Sequence, residues 1–313
     1  MHVRPGLPEP PPDEDDMRDD YLIKFMTRDG ALRGTAALVT GTLRELARRH
    51  DLSPTPAVAL GRALAGCACL AGLLKDDQRV ALKFEGNGPL RRVLVEGEHG
   101  GALRGAVGDP HAEPPTVDGR LDVAGALGRE GTLTVTKDLG LKTPYTGTVA
   151  LDTGELGEDL AWYLADSEQI PSAVSVGVGV SATGITAAGG FILQAMPPVD
   201  EAVIDRLMEH LQTLPPLSCL LAAKETPEML AARLLADHPY EILEIRPLFF
   251  ACTCDREKIE QVLLSLGVAE LRRLAAGSEP TEVTCEFCRE RYPFTPEELA
   301  VLAAQQETPR GDA

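Results

Sequence analysis

Residues 249–299 read FFACTCDREKIEQVLLSLGVAELRRLAAGSEPTEVTCEFCRERYPFTPEEL, and this stretch decides how the C-terminal part of the chain folds. It contains a Cys-x-Cys pair and a Cys-x-x-Cys pair, formed by Cys252, Cys254, Cys285 and Cys288. Two close pairs that meet in space offer four thiolates in a tetrahedron, which is the closed ligand set of a structural zinc ion. Because thiolate sulfur favours zinc or iron–sulfur centres over hard cations, we expect one Zn²⁺ ion at these residues, the four-cysteine cluster.

The module around the cluster is small, since only about fifty residues separate Leu248 from Glu298. A module of that size has little apolar surface to bury, whereas a structural zinc ion can supply roughly 10–16 kcal/mol of apparent binding energy. A plain structural zinc site is therefore the simplest interpretation of the spacing. Zinc also keeps cysteine as thiolate, the form that oxidants attack, so disulfide formation would release the metal and unfold the module. A redox switch is the second interpretation.

The composition argues against some classes of partner. The 313 residues include 30 Lys and Arg against 48 Asp and Glu, which gives a formal charge of −18. Such a charge repels phosphate backbones and anionic lipid surfaces, so we expect neither a nucleic acid nor a membrane as partner. The length suggests one large domain and one smaller module.

The beginning of the chain differs from the rest. Prolines alternate with acidic residues up to Asp20, which predicts a disordered acidic tail over residues 1–20. The start lacks the apolar segment of a signal peptide, and no uninterrupted run of 18 apolar residues follows, so we expect a cytoplasmic protein. In a reducing cytoplasm the seven cysteines should not form a standing disulfide framework, which favours a metal or redox role for the clustered ones.

Residues 21–196 have the pattern of one α+β core domain, with sheets and packed helices. Strand-like alternation occurs at residues 21–27, 79–86, 91–98 and 131–138. Helical spacing of apolar residues predicts helices over residues 56–74 and 157–169. A run of valines and small residues that crosses Gly189 and Gly190 predicts a hairpin that closes the sheet.

Residues 197–245 are predicted to be a helical linker between the core domain and a zinc-binding redox-switch domain over residues 246–305. Residues 306–313 are predicted to be a disordered tail. One face of the linker has an apolar stripe at helical spacing, consisting of Val203, Leu207, Leu211 and Leu214. Because an exposed stripe of this size would bind other proteins or aggregate, it must be covered in the resting protein. We expect the zinc module to cover it and to stabilise its docking on the core.

The sequence resembles one known family along most of its length. Residues 249–299 closely resemble the zinc-binding end of the 33-kilodalton redox-regulated heat-shock chaperones, heat-shock protein 33. Further segments resemble the N-terminal core of that family in the same order: RGTAALVTGTLRELARRH, LKFEGNGPLRRVLVEGE, YTGTVAL, the SEQ of DSEQIPSA, and AGGFILQAMP. The resemblance covers about residues 21–300, and the CxC…CxxC element is its most specific part.

The resemblance implies an ATP-independent holdase that is zinc-bound and inactive when reduced. In the oxidised form it implies disulfides that join Cys252 to Cys254 and Cys285 to Cys288, loss of zinc, an unfolded linker, bound clients and a homodimer. The acidic residues 1–20 depart from the usual form of the family. That extension could change regulation, but it leaves the cysteines of the switch in place.

The remaining cysteines and motifs carry less information. Cys67 and Cys69 lie in an apolar helical segment and are predicted to be buried core thiols, and Cys219 has no assigned role. The six histidines are scattered, and the sequence contains no GxSxG, HExxH or phosphate-loop pattern, so we expect no enzyme.

The pattern of cysteines, taken alone, is also compatible with two other functions. One is a zinc-ribbon protein whose structural zinc site binds nucleic acid or a protein partner. From Cys252 to Tyr292, however, eight acidic residues stand against six basic ones, which argues against nucleic acid. The other is a thiol oxidoreductase that uses Cys285 and Cys288, which would need an open pair without a metal.

Overall fold

The computed structural model describes residues 20–197, 201–236 and 238–307. The strands are β1 (Tyr21–Thr27), β2 (Leu32–Leu38), β3 (Arg79–Gly86), β4 (Arg92–Glu98), β5 (Ala102–Val107), β6 (Gly131–Asp138), β7 (Tyr145–Ala150), β8 (Ser172–Ser181), β9 (Gly184–Ala195), β10 (Tyr240–Pro247), β11 (Phe249–Phe250), β12 (Thr281–Thr284) and β13 (Arg291–Phe294). The helices are α1 (Thr40–His50), α2 (Pro54–Gly72), α3 (Val123–Leu127), α4 (Leu156–Asp166), α5 (Glu201–Thr213), α6 (Leu217–Ala222), α7 (Pro227–Leu235), α8 (Arg256–Ser265), α9 (Val268–Ala275) and α10 (Pro296–Glu307). The α+β fold class expected from the sequence is confirmed.

Helix α2 lies between two sheets and forms the centre of the core. One sheet has five strands in the order β10-β1-β2-β9-β8, and the other has six in the order β11-β5-β4-β3-β6-β7. Neighbouring strands are antiparallel except β11, which runs parallel to β5. By length and composition α2 could cross a membrane, but 94% of its apolar window is buried inside the protein, as in a core helix.

The helices and strands predicted for the core are present with shifted ends. The helix predicted over residues 56–74 is α2, and Ser53 precedes it in an extended conformation with Pro54 at its first position. The helix predicted over residues 157–169 is α4, which ends at Asp166. Local apolar spacing therefore located these elements well, whereas their ends depend on contacts that the spacing does not contain.

The last hairpin of the core turns at a different place from the one indicated by the glycine pair. Strands β8 and β9 pair along their length, and the chain turns between Ser181 and Gly184. Gly189 and Gly190 lie inside β9, where a Cβ at Gly190 would stand 3.1 Å from the Ala65 Cβ of α2. Gly190 therefore permits close packing of the sheet on α2, whereas Gly189 faces Leu221 of α6 on the other side of the sheet. The predicted hairpin is present, but the glycine pair does not form its turn.

Helices α5, α6 and α7, which we call the connector, cover the face of the five-stranded sheet that points away from α2. Leu207 is buried there, and Leu211 and Leu214 pack against the same apolar cluster. The side chain of Val203 lies outside the described part of the chain. The sheet contributes Ile23, Phe25, Leu32, Ala36, Leu38, Ala187, Phe191, Leu193 and Ala195 to this cluster. The stripe is thus covered by the core sheet, and the expectation that the zinc module covers it was wrong.

The predicted helical linker is helical only in part, because Tyr240–Pro247 forms strand β10 on the free edge of β1. After Leu248 the chain crosses to the other sheet, where β11 pairs with the edge of β5. We call residues 240–250 the strap, since they connect the connector to the cysteines across both sheet edges. Pairing with a distant strand, which local sequence does not encode, overrides the helical expectation here.

The C-terminal module has a small apolar core of its own, made of Ile259, Leu263, Leu271, Phe294, Leu299, Leu302 and Ala303. Of the two predicted tails, residues 1–19 and 308–313 lie outside the described residues. Asp20 is buried and accepts hydrogen bonds from Gly41 N and Thr42 N at the start of α1, and α10 continues to Glu307. Those ends of the predicted tails are therefore ordered parts of the fold.

Candidate metal centre

The first cysteine pair lies in the extended segment between β11 and α8. Cys252 and Cys254 follow the strap directly and are half-buried. Asp255 ends the segment by capping α8, since its carboxylate accepts a hydrogen bond from the backbone N–H of Lys258 at 2.8 Å. The strap on one side and the capped helix on the other therefore fix the position of this pair.

The second pair occupies the turn of the β12–β13 hairpin, residues 285–288, which we call the knuckle turn. Cys285 N donates to Glu290 O at 2.8 Å, and Arg289 N donates to Cys285 O at 3.0 Å. Both cysteines are buried, each with 7% of its surface exposed. These backbone hydrogen bonds close the turn so that the two sulfurs face the first pair.

The four sulfurs lie within 4.8 Å of one another and could hold a metal ion. The Sγ atoms of Cys252 and Cys285 are 3.8 Å apart, and those of Cys254 and Cys288 are 3.2 Å apart. A zinc ion with four Zn–S bonds of about 2.3 Å needs sulfurs separated by about 3.8 Å. The donor set and its spacing therefore fit a tetrahedral ion that prefers soft ligands.

The surroundings shift the pKa values of three of the cysteines in different directions. Burial raises the pKa of Cys252, and burial also raises the pKa of Cys288 far above its usual range. Burial acts in the same direction on Cys254, but hydrogen bonds from Tyr292 and the neighbouring thiols lower the pKa of Cys254 overall. Because four adjacent thiolates repel one another, a cation among them is what would keep all four deprotonated.

Tyr292 contributes a hydroxyl group to the cluster from strand β13. Its phenolic oxygen lies 3.2 Å from Cys254 Sγ, and the hydrogen bond to that sulfur raises the pKa of the phenol far above its usual range. The phenol therefore stays protonated at neutral pH and can donate to a Cys254 thiolate. Sequence reasoning missed this residue, although an aromatic hydroxyl four positions after Cys288 was a usable signal.

The backbone of the knuckle turn is held by the last turn of α1. His50 Nε2 lies 2.9 Å from Phe287 O, and Arg49 Nη1 donates to Cys288 O at 3.3 Å. The Arg49 guanidinium also lies 4.8 Å from the centre of the Phe250 ring in β11. The end of α1 therefore contacts both the knuckle turn and the strap.

The side chains of the knuckle turn meet the face of the six-stranded sheet that points away from α2. Arg92 of β4 forms an ion pair with Glu286. Arg104 of β5 lies 4.4 Å from the centre of the Phe287 ring, and its Nη1 donates to Thr253 Oγ1 at 3.3 Å. The sheet therefore contacts a residue inside each cysteine pair.

The other cysteines lie away from the cluster. Cys67 and Cys69 are completely buried in α2, and burial raises the pKa of Cys69 to about 12 and that of Cys67 further. This placement agrees with their prediction as core thiols. Cys219 is exposed on α6 of the connector.

A family model, curated relatives and a solved structure all match this chain to the same protein family. The family model described as Hsp33 protein matches residues 20–295. The 33 kDa chaperonin of Geobacter sulfurreducens is 52% identical over 284 residues, which cover 90% of this chain and 94% of that protein. The 33 kDa chaperonin of Bacillus cereus is 44% identical over 285 residues, which cover 90% and 98%. The crystal structure of the 33 kDa chaperonin (heat shock protein 33 homolog) from Thermotoga maritima matches with a TM-score of 0.85 at 35% identity, covering 92% of this chain and 99% of that one.

Proposed function

Because the chain belongs to the Hsp33 family of chaperones, we propose that it is a redox-regulated, ATP-independent holdase. In this role it binds unfolding proteins under oxidative stress and prevents their aggregation. The observation that carries the proposal is the position of the four-cysteine cluster at the end of the strap. Because the cluster directly follows the strap, a chemical change at the sulfurs can affect the strap and, through it, the connector.

In the reduced protein, the four-cysteine cluster holds one Zn²⁺ ion, with Cys252, Cys254, Cys285 and Cys288 as its ligands. When bound, the ion supplies the positive charge that keeps the sulfurs deprotonated and crosslinks the knuckle turn to the end of the strap. The all-sulfur donor set and its spacing support this assignment. The reduced protein is the inactive form, because the connector then covers the apolar face of the five-stranded sheet.

Hydrogen peroxide or hypochlorous acid is the oxidant class that the proposal requires. With peroxide, two thiolates lose two electrons as one S–S bond forms, while the O–O bond breaks and two protons complete two water molecules. Two disulfides therefore consume two molecules of peroxide. We propose the pairing that the family resemblance implies, Cys252 with Cys254 and Cys285 with Cys288. A disulfide sulfur carries no thiolate charge, so the oxidised cysteines no longer hold the ion.

Loss of the crosslink would act next on the strap. Strand β11 pairs with β5 through only two residues, Phe249 opposite Ala102 and Phe250 opposite Leu103. Strand β10 is an edge strand, with Ile242, Leu243 and Ile245 already substantially exposed. The two-residue pairing of β11 has little local stability of its own, whereas β10 pairs with β1 at seven positions. Release of the knuckle turn would therefore loosen the strap and then the connector that it anchors.

The surface uncovered by this change has the composition of a client site. Connector residues Leu207, Leu217, Leu220, Leu230 and Leu234 are buried against the sheet in the resting fold. When the connector leaves, its own apolar side chains and those of the sheet both face solvent. Apolar patches larger than a few hundred square ångströms bind other proteins or aggregate, which is how unfolding clients would be held.

The remaining features of the proposal follow from the family resemblance and the charge. The protein acts in the cytoplasm, forms a homodimer when oxidised, and catalyses no reaction. The charge of −18 supports unfolding proteins as partners over nucleic acid and anionic membranes. Its acidic extension, residues 1–20, has no assigned role in this cycle.

The test measures bound zinc and suppression of aggregation on one sample, before and after treatment with peroxide and mild heat. We expect one zinc ion per reduced chain with little suppression, and zinc release with strong suppression after oxidation, independent of added ATP. The variant C219S is the matched control, since Cys219 is exposed but lies outside the cluster. Activity that oxidation leaves unchanged would contradict the proposal. Salt-dependent nucleic-acid binding by the reduced protein would favour the zinc-ribbon alternative instead.

A further inference from the structure

The knuckle turn is held by four core side chains that come from three separate elements. Arg49 and His50 end α1, Arg92 begins β4, and Arg104 lies in β5. We call these four residues the socket. Each contacts the knuckle turn, although they precede it in the sequence by about 180 to 240 positions. Contacts over such separations exist only when the core domain is folded and the module is docked on it.

The two contacts from α1 fix the backbone of the knuckle turn. A carbonyl oxygen only accepts hydrogen bonds, so the nitrogen of His50 that faces Phe287 O must carry the hydrogen. His50 is 9% exposed, and burial lowers the pKa of its imidazole, which favours the neutral ring; the contact with Phe287 O then places the single ring hydrogen on Nε2. Arg49 reaches the carbonyl of Cys288 itself. Both donors thus act on peptide groups that orient the second cysteine pair.

Arg104 connects the two cysteine pairs through one guanidinium group. Its position is fixed by an ion pair with Glu96 on the neighbouring strand. From there it lies over the ring of Phe287, inside the knuckle turn, and donates to the hydroxyl of Thr253, between the first two cysteines. A rigid planar fork can make these contacts together, whereas the ammonium group of lysine cannot.

We propose that the socket positions the cysteines for the metal, so that core residues set how tightly the cluster retains zinc. The inference rests on the proposed zinc-dependent switch and extends it to the core domain. Preorganised ligands lose less freedom when they bind, so contacts that fix the knuckle turn increase metal affinity. By thermodynamic reciprocity the bound ion stabilises docking on the socket by the same factor. Docking and zinc retention are therefore one coupled equilibrium.

The first test compares the double variant R92A/R104A with R79A in the full-length reduced protein. Arg79 is the matched control, because it forms an exposed ion pair with Asp138 on the same sheet, away from the socket. Competition with a chromogenic chelator measures the zinc dissociation constant. We expect the double variant to bind zinc about 10–100-fold more weakly, the range known for residues that orient metal ligands. The control should stay within about twofold of the wild type.

The second test separates positioning from a general loss of structure. In H50Q the side chain keeps an N–H donor for Phe287 O, whereas H50L fills similar space without a donor. We expect H50Q to retain zinc much more tightly than H50L, with unchanged far-ultraviolet circular dichroism for both. A merely structural role for His50 would change the two affinities equally.

The outcomes distinguish the inference from the function on which it rests. Equal zinc affinity in R92A/R104A, R79A and the wild type, with zinc still released by peroxide, would overturn the socket and leave the switch intact. A wild-type protein that binds no zinc would overturn both. The result that supports the socket is weaker zinc binding by R92A/R104A and by H50L, together with zinc affinities of R79A and H50Q that stay near that of the wild type.

Discussion

The phenolic oxygen of Tyr292 lies 3.2 Å from the sulfur of Cys254. The hydroxyl group of Tyr292 can therefore donate a hydrogen bond to this one cysteine of the cluster. A thiolate that accepts this bond is stabilised and is a weaker nucleophile toward peroxide. We therefore expect Y292F to release zinc about tenfold faster than the wild type at a fixed peroxide concentration. Stopped-flow detection of zinc with a chromogenic chelator measures the rate.

The control for this substitution is Y145F, since Tyr145 is an exposed tyrosine on β7. Its release rate should equal that of the wild type. Equal rates for Y292F and Y145F would show that the hydroxyl of Tyr292 has no influence on the sulfurs.

The disulfide pairing can be read from tryptic peptides of the oxidised protein. Cleavage after Arg233, Arg256, Arg273 and Arg289 places Cys252 and Cys254 on residues 234–256, and the second pair on residues 274–289. Pairing within each motif leaves these two peptides separate, each lighter by two hydrogen atoms, and this is the result that we expect. In the reduced fold the sulfurs of Cys254 and Cys288 lie 3.2 Å apart, so peptides crosslinked through these two residues would contradict pairing within each motif.

The two core thiols should take no part in the switch. Cys67 and Cys69 have no exposed surface, and the pKa of about 12 of Cys69 leaves almost no thiolate at neutral pH. Iodoacetamide should label Cys219 rapidly in the native reduced protein and label these two only after denaturation. The variant C67A/C69A should still release zinc on oxidation, and a lost response would mean that a core thiol belongs to the redox pathway.

Leu248 connects the two halves of the strap and is buried in the main core. We expect L248A to destabilise the docked strap by about 2–5 kcal/mol, since the change removes a buried side chain and leaves a cavity. Suppression of aggregation should then occur in the reduced, zinc-bound protein. The neighbouring variant F249A is the control, because Phe249 is 47% exposed. Inactivity of reduced L248A with its core folded would show that the strap does not hold the connector in place.

The sequence identified the cluster and much of the core because those signals are local. Cysteine spacing is read within a few positions, and the apolar periodicity of α2 repeats over five turns. Gly189 and Gly190 were misread because a glycine pair has the same appearance in a turn and in a strand that packs closely on a helix.

The parts that sequence reasoning missed depend on pairing between distant residues. Strand β10 forms because β1 offers an open edge, more than two hundred positions earlier in the chain. The sequence likewise gave no role to His50 and Arg104, because Phe287, which they both contact, lies about 180 to 240 positions later in the chain. Their contacts to the knuckle turn become visible only when both sheets and α1 are assembled.

The central claim is that oxidation of the cluster releases the connector through the strap. Hydrogen exchange with mass spectrometry, before and after peroxide and mild heat, tests it most directly. We expect amides of β10 and of helices α5–α7 to lose protection after oxidation, while those of α2 remain protected as the internal reference. Unchanged protection of the connector, in a sample whose zinc has been released, would contradict the account.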